Sequence, residues 1–363
     1  MRKILKNKIL ILVPILLSLF ASNCEPLVDR FDDIEDGVIY TAKNMTTPPT
    51  KVANVKVMTW NIRFGAGRVP WFGDSCGDRV ILTNDEVMSS LNGIAQKLYE
   101  EQPDILLLQE VDVNSKRSGY IDQVQWLLDF TYFNYATFAS AWKVQFIPSD
   151  GLGRMNMGNA IFSRWKISQV ERIQLPLRGD QDALTQYFYL RRNILKAKIA
   201  VPNVDNFYAV DVHASAFSRD DTKKKHIDIF KTELDKITES GEYFVAGGDL
   251  NELPPGAVKT NFCIENLCSG ENPDEKEGCD FSKEVTWLQD LYDTYIPAVR
   301  LDDYLANEEI YFTSTPDWGG DWQKKLDYLF TNYKWAVSSD ITHQDATKLS
   351  DHTPVSASWE VPQ

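Results

Sequence analysis

The chain has 363 residues, with 38 Lys or Arg against 52 Asp or Glu and a net charge of −14. Four of the basic residues (Arg2, Lys3, Lys6 and Lys8) lie in an N-terminal segment that reads as removable, leaving 34 basic against 52 acidic residues and a net charge of −18. Such a surface repels polyanions, which argues against a dedicated nucleic-acid-binding protein unless a local basic site or a metal compensates.

The opening "MRKILKNKILILVPILLSLFASNC" has a basic start, an apolar run from Ile9 to Phe20 and small residues before Cys24. It reads as a secretory signal over residues 1–23, too short and too soon interrupted for a membrane span. "LFASNC" resembles a bacterial lipobox, in which Cys24 is lipidated and becomes the first mature residue. Asn23 departs from the commonest pattern, so plain secretion is the alternative. The expectation is an exported, membrane-anchored lipoprotein on the periplasmic or cell-surface side. Residues 24–52 are acidic and then Thr/Pro-rich, and read as the lipidated cysteine and a tether, with room for one short docked piece. From 53 to 363 no repeat, low-complexity block or second linker interrupts the chain, which predicts one domain and a monomer.

Strand-like and helix-like segments alternate through that domain. "NVKVMTWNIRF" (54–64) predicts a strand, and Val87, Leu91, Ile94 and Leu98 are spaced as on an amphipathic helix over 85–101. Pro103 punctuates, "DILLLQEV" (104–111) has the continuous apolar character of a buried strand, and 121–130 is again helical. Further strands are expected at "NYATFAS", "GNAIFSR", "RRNILKAKIAV" and "NFYAVDVHAS". A basic helix over 219–239 buries Ile227, Phe230, Leu234 and Ile237 and leads into "EYFVAGGDLN". "KLDYLFTN", a stretch near 335–341 and "TPVSASWEV" complete the set. Strands outnumber helices and come in consecutive groups, so the class is α+β, with two sheets covered by helices. Beyond Cys24 the cysteines are Cys76, Cys263, Cys268 and Cys279; export permits disulfides, and four thiols allow three pairings.

Seven short segments share one form, an apolar strand ending in a polar residue. They present Asn61 ("VMTWNIRF"), Glu110 ("ILLLQEV"), Asn159 ("GNAIFSR"), His213 ("YAVDVHAS"), Asp249 and Asn251 ("VAGGDLNEL"), Asp327 ("KKLDYLF"), and Asp351 with His352 ("KLSDHTPV"). Ionisable groups at buried strand ends are costly unless partnered, so so many of them point to a site. In an extended segment Asp249 and Asn251 share a face, beside backbone thinned by Gly247 and Gly248.

These motifs, in this order over roughly residues 54–361, resemble the endonuclease/exonuclease/phosphatase superfamily. The resemblance implies a four-layer α/β sandwich, two stacked mixed β-sheets flanked by helices. It also implies a metal-dependent phosphoric ester hydrolase of the phosphodiesterase, phosphatase or nuclease class. Hydrolysing a phosphate ester requires charge neutralisation, an activated in-line water and help for the leaving group. Glu110 offers a hard oxygen ligand for Mg²⁺ or Mn²⁺, with Asn61 and Asp351 beside the metal. Asp249 is the expected general base, with Asn251 donating to the phosphate and His352 to a non-bridging oxygen or the leaving group. The resemblance makes Asp327 the partner that sets the His352 tautomer, His213 a second phosphate-facing donor, and Asn159 and Arg192 the residues that orient or neutralise the phosphate. Arg191, one position earlier, is the alternative to Arg192.

His226, on a lysine-rich helix, is expected to be solvated, and His343 to be structural. Trp71, Trp318 and Trp322 are expected to pack their loops. The substrate class stays open among phospholipid head groups, nucleic acid and small phosphodiesters. The rival readings are an extracellular nuclease of the same superfamily and a non-catalytic binding lipoprotein on the same scaffold.

Overall fold

The computed structural model describes residues 27–73, 76–147, 151–272, 278–315 and 321–363. The strands in chain order are β1 (Ile34–Asp36), β2 (Val38–Thr41), β3 (Asn54–Asn61), β4 (Ile105–Asp112), β5 (Tyr135–Val144), β6 (Met155–Ser163) and β7 (Ile167–Gln174). Then follow β8 (Asn193–Ile199), β9 (Phe207–His213), β10 (Tyr243–Asp249), β11 (Ile296–Pro297), β12 (Asp327–Thr331), β13 (Ile341–Thr342) and β14 (Val355–Glu360). The helices are α1 (Asn84–Glu101), α2 (Gln123–Asp129), α3 (Ala183–Phe188), α4 (Thr222–Glu239), α5 (Gln289–Thr294) and α6 (Leu301–Ala306).

Two seven-stranded sheets result, in the orders β1-β7-β8-β9-β10-β12-β11 and β13-β14-β3-β4-β6-β5-β2. Only β3–β4 and β9–β10 pair in parallel among these ladders, and each parallel pair is bridged by a long helix, α1 and α4. The predicted four-layer sandwich is therefore the observed one.

Period-two alternation builds the layers. Val55 and Val57 of β3, Ile105 and Leu107 of β4, Leu195 and Ala197 of β8, Val245 of β10 and Trp359 of β14 meet between the sheets. The alternate residues Met58, Trp60, Leu106 and Leu108 face Val87, Leu91, Ile94 and Leu98 of α1. On the other side Val210, Val212, Phe244 and Ala246 face Ile227, Phe230, Leu234 and Ile237 of α4. Both long helices thus bury the faces their sequences predict. The N-terminus of α1 is fixed by a reciprocal capping box between Thr83 and Glu86.

Several features differ from the sequence expectations. Residues 34–41, inside the expected tether, form β1 and β2, which edge one sheet each; the domain therefore begins earlier than residue 53. Their pairing partners, β7 and β5, lie more than ninety residues away, beyond any local signal. Strand β7 was not among the expected strands, and near 335–341 the chain makes only the Trp335–Trp359 bridge and the two-residue β13. The cysteines pair as Cys76–Cys268 and Cys263–Cys279, which clips the loop after Trp71 to the 260–281 insertion.

Candidate active site

The polar strand ends converge because the inter-sheet faces of neighbouring strands run out at one edge of the sandwich. In β9, β10 and β12, His213, Asp249 and Asp327 stand in register on adjacent strands, Asp249 opposite both of the others. On the facing sheet Asn61 ends β3 on the same inward alternation as Val55 and Val57. Its Nδ2 donates to Asp249 Oδ2 (3.1 Å) and to Glu110 Oε1 (3.2 Å), so one amide joins the two sheets at the site.

Glu110 reaches this position through an irregularity. By alternation with Leu106 and Leu108 it belongs on the helix-covered face. The ladder with β6 shifts register between Leu108 and Val111, and Glu110 takes a φ of 56°, which re-aims its carboxylate into the cleft. Just beneath, Gln109 Nε2 donates to Thr59 Oγ1 on the neighbouring strand (3.1 Å) and, across the sheets, to Asp211 Oδ1 (2.6 Å). Burial pushes the Asp211 carboxyl well above its usual value, against the hydrogen bonds from Gln109 and the Val212 N–H.

The glycines of "VAGGDLNEL" serve close approach. A Cβ on Gly247 would sit 2.0 Å from the Tyr328 carbonyl oxygen; one on Gly248, whose φ is +135°, would sit 1.9 Å from that of Val212. The strand ends at Asp249, and Asn251 is not extended: its φ is 51° and its N–H donates to Asp249 Oδ1 (3.0 Å). Asn251 therefore reaches the cleft through an Asx turn and not through strand alternation. Its Nδ2 donates to Ala214 O (3.1 Å), and buried Lys223 of α4 donates from Nζ to Asn251 O (2.8 Å).

The segment carrying Asp351 and His352 is fastened to β3. Ser350 Oγ donates to Asn61 O (2.7 Å), and Trp60 Nε1 donates to His352 O (2.9 Å). His352 Nδ1 lies 2.8 Å from Asp327 Oδ2, and its Nε2 lies 3.7 Å from Asp249 Oδ2. His213 Nε2 approaches the same Asp249 oxygen at 3.3 Å and Glu110 Oε1 at 4.0 Å. Asp249 Oδ2 thus sits among Asn61, His213 and His352.

Charge and burial set the protonation tendencies. Burial pushes the Asp249 carboxyl up; His352 opposes this and Asp327, directly across the ladder, adds to it. Burial disfavours the His352 cation, but Asp327, Asp249 and Asp351 outweigh it and raise that imidazole above its usual value. His213 moves down, by burial first and then by repulsion from Arg192 and His352. The two histidines therefore differ in character although both face one carboxylate.

For a divalent cation the relevant set is hard oxygen. Glu110 and Asp351 both line the cleft; burial, and then Asp351 itself, raises the Glu110 carboxyl, while Arg117, Asn61 and Arg192 oppose the shift. Asp351 stays below its usual value because Arg63, His352 and Arg68 outweigh its burial. These carboxylates fit Mg²⁺ or Mn²⁺. Asp249, Asp327 and His352 also bring ligand atoms within 4.8 Å of one another, but they are occupied in the carboxylate–imidazole–carboxylate chain described above.

The cleft, of about 640 Å³, includes Asn61, Glu110, Arg192, His213, Asp249, Asn251, Asp351 and His352 in its walls. Asp327 lies behind His352. Arg192 donates from Nη1 to His213 O (3.3 Å), whereas Arg191 turns away to the carbonyls of Tyr187 and Tyr189 and lines a separate cavity. Asn159 does not reach the cleft. It is buried below it, its Nδ2 donating to Asn193 O (3.1 Å), so it ties β6 to β8 instead of meeting a phosphate. His226 is not solvated but 2% exposed, accepting from Ser215 N–H at Nδ1 (3.2 Å) with Nε2 at Pro176 O (2.8 Å). His343 is buried against Ser356 Oγ and Glu101, a structural position. Trp71 packs edge-on to Phe64, and Trp322 donates to Gln344 O (2.9 Å); Cys24 and Trp318 lie outside the described residues.

The sequence reading missed Arg63, whose Nε lies 3.7 Å from Asp351 Oδ2. It missed Arg117, which pairs with Asp112 and lays its guanidinium 3.4 Å from the Phe64 ring centre at the cleft wall. Arg63 stands two residues after Asn61, where adjacency to the motif is a usable signal. Arg117 lies in "NSKRSG", whose ordinary loop composition carries none.

Residues 58–352 match the Endonuclease/Exonuclease/phosphatase family, one of metal-dependent phosphoesterases. Similar solved structures include an endonuclease/exonuclease/phosphatase from Beutenbergia cavernae DSM 12333 (17% identity, TM-score 0.56, covering 85% of this chain and 72% of that one). A family protein from Leptotrichia buccalis C-1013-b matches at 18% identity and TM-score 0.52, over 85% of this chain and all (100%) of the other. The human Nocturnin catalytic domain with bound sulfate matches at 15% identity and TM-score 0.52, over 89% and 97% of the two chains. At these identities the likeness is one of fold. No curated protein sequence matches the chain.

Proposed function

This chain belongs to the endonuclease/exonuclease/phosphatase family, and we propose that it is a divalent-metal-dependent phosphodiesterase, exported and held to a membrane through lipidated Cys24. The observation that carries the catalytic part is the in-register row of His213, Asp249 and Asp327, closed by His352 and joined to Glu110 through Asn61. It gathers a base, two imidazoles and a hard-oxygen ligand set in one cleft.

In this reading Asp249 accepts a proton from the water whose oxygen attacks phosphorus in line with the leaving oxygen. Asn61 Nδ2 and Asn251 N–H hold its two carboxylate oxygens, which fixes the direction of proton transfer. Glu110 and Asp351 would hold the cation, with Asn61 bracing Glu110; when bound, the ion would supply charge neutralisation for the reacting phosphate ester. Asn61 Oδ1 accepts from Arg63 N–H (3.0 Å), which suits a brace more than a direct ligand. Asp327 fixes His352 through Nδ1, leaving Nε2 toward the cleft, where it serves a non-bridging oxygen or the leaving group. His213 and Arg192 face the same phosphate, and the Arg192 guanidinium offsets its charge.

The test is a side-by-side assay of the purified chain on plasmid DNA, sphingomyelin, phosphoinositide and a chromogenic phosphodiester, with Mg²⁺ or with chelator. At least one ester should turn over with Mg²⁺ and none in excess EDTA. Turnover that persists in EDTA overturns the metal role, and no turnover of any ester overturns the hydrolase reading.

A further inference from the structure

The chain enters the domain at the rim of the candidate active site. Val28 bridges to Val144 at the end of β5, and Leu27 O accepts the Gln145 N–H at 2.8 Å. Two residues further, Ile147 is already part of the cleft wall. Cys24 lies three residues before Leu27, so at a maximum reach of roughly 3.3–3.6 Å per residue the two are at most about 10 Å apart. A membrane anchor at Cys24 would hold this rim close to the bilayer and leave it little freedom to turn away.

The rim has the surface such a position requires. Helix α3, "ALTQYF", has no buried residue despite its apolar content. Its Leu184 is 69% exposed; Phe146 is 50%, Leu27 52% and Phe217 45% exposed. Leu184 and Phe217 stand at the cleft itself. These positions belong to one continuous piece of structure. Trp142 Nε1 of β5 donates to Phe188 O of α3 (2.7 Å), Gln186 Nε2 of α3 donates to Arg178 O (2.7 Å), and Arg178 Nη2 donates to Phe217 O (2.6 Å). Exposed apolar residues scattered singly need no explanation, but a set framing a cleft marks an interaction surface. On the other side of α3, a second cavity of about 600 Å³ is lined by Arg30 and Arg191 beside Asp33, and cationic side chains of this kind suit anionic head groups.

We infer that the rim formed by Leu27, Phe146, Leu184 and Phe217 seats on a phospholipid bilayer, so that the cleft takes its phosphodiester from lipid head groups in place. This rests on the hydrolase reading above for the chemistry, and on the pinned entry of the chain for the geometry. The apolar side chains enter the interfacial layer, Arg30 and Arg191 meet lipid phosphates, and the cleft opens toward the head groups.

Hydrogen exchange of the full chain tests this, with and without vesicles of phosphatidylcholine and phosphatidylglycerol. Backbone amides of α3, of residues 145–147 and of 215–218 should gain protection on vesicles. Those around Val258 and Val337, exposed apolar residues outside the rim, should not. Leu27→Ser combined with Phe146→Ser, both outside the cleft lining, should abolish that protection and slow vesicle-lipid hydrolysis by about tenfold or more, with turnover of a soluble chromogenic phosphodiester unchanged. Absence of rim protection on vesicles overturns the proposal, and does so without touching the hydrolase reading if the soluble ester is still cleaved. Protection of the same rim without vesicles, growing with protein concentration, would make a second copy the occupant and also overturn it. Rim protection on vesicles with neither ester cleaved supports the docking surface and sinks the hydrolase reading instead.

Discussion

Replacing Asp249 by asparagine keeps the size of the side chain and removes its ability to take a proton. In the native site Oδ1 accepts the Asn251 N–H at 3.0 Å, while Oδ2 accepts Asn61 Nδ2 at 3.1 Å with His213 Nε2 at 3.3 Å. An amide offers one acceptor oxygen for these two places. If it keeps the Asn251 contact, its own NH₂ turns toward Asn61 and the two imidazoles, so the water loses its base and its orienting partner together. Loss of a general base lowers the rate by roughly 10²–10⁴, or about 3–5 kcal/mol in the barrier. Folding should suffer less, because burial already disfavours the charge that is removed. The assay is kcat for a chromogenic phosphodiester across a Mg²⁺ titration, in Asp249→Asn beside Glu110→Gln. The Asp249 variant should stay slow at every Mg²⁺ concentration. The Glu110 variant should recover in part, because its defect lies in holding the ion. Near-normal turnover in Asp249→Asn, or recovery with Mg²⁺ equal to that of Glu110→Gln, would refute the assignment and place the base elsewhere.

Burial holds the His226 imidazole at a pKa of about 4 against an ordinary 6.5, so it stays neutral in the folded protein where the unfolded chain takes up a proton. Its contribution of about 3 kcal/mol is complete above pH 6.5 and is lost as pH falls through 4; urea midpoints should drop over that window, less steeply in His226→Gln. An unchanged slope in the variant would show that His226 does not carry the effect. Gly248→Ala places a Cβ 1.9 Å from Val212 O at a φ of +135° and should destabilise the fold by roughly 2–5 kcal/mol in urea unfolding. Cys24→Ser should shift the protein's partition between detergent and aqueous phases; identical soluble fractions in variant and wild type would mean plain export.

What the sequence determined by itself is local. Alternation along β3, β9, β10 and β12 places Asn61, His213, Asp249 and Asp327 on the inward face of their strands, and the 4-3-4 spacing of Val87, Leu91, Ile94 and Leu98 turns one side of α1 to the core. Such patterns are written in neighbouring residues because strand and helix periods are properties of the backbone. The tertiary structure decided whatever depends on which strand lies beside which. The register shift against β6 aims Glu110 into the cleft, and the close approach of Tyr328 and Val212 explains both glycines. The Asx turn, and not strand alternation, delivers Asn251, while stacking against β8 withdraws Asn159 into the interior. Burial between α4 and the 176–215 loops makes a lysine-flanked histidine a core residue, and β1 and β2 are strands only because β7 and β5 offer them edges. The Asx turn is local, its bond spanning two residues; a short segment cannot encode the other outcomes, because each is fixed by a hydrogen bond or contact with chain that is distant in sequence and near only once both sheets have formed.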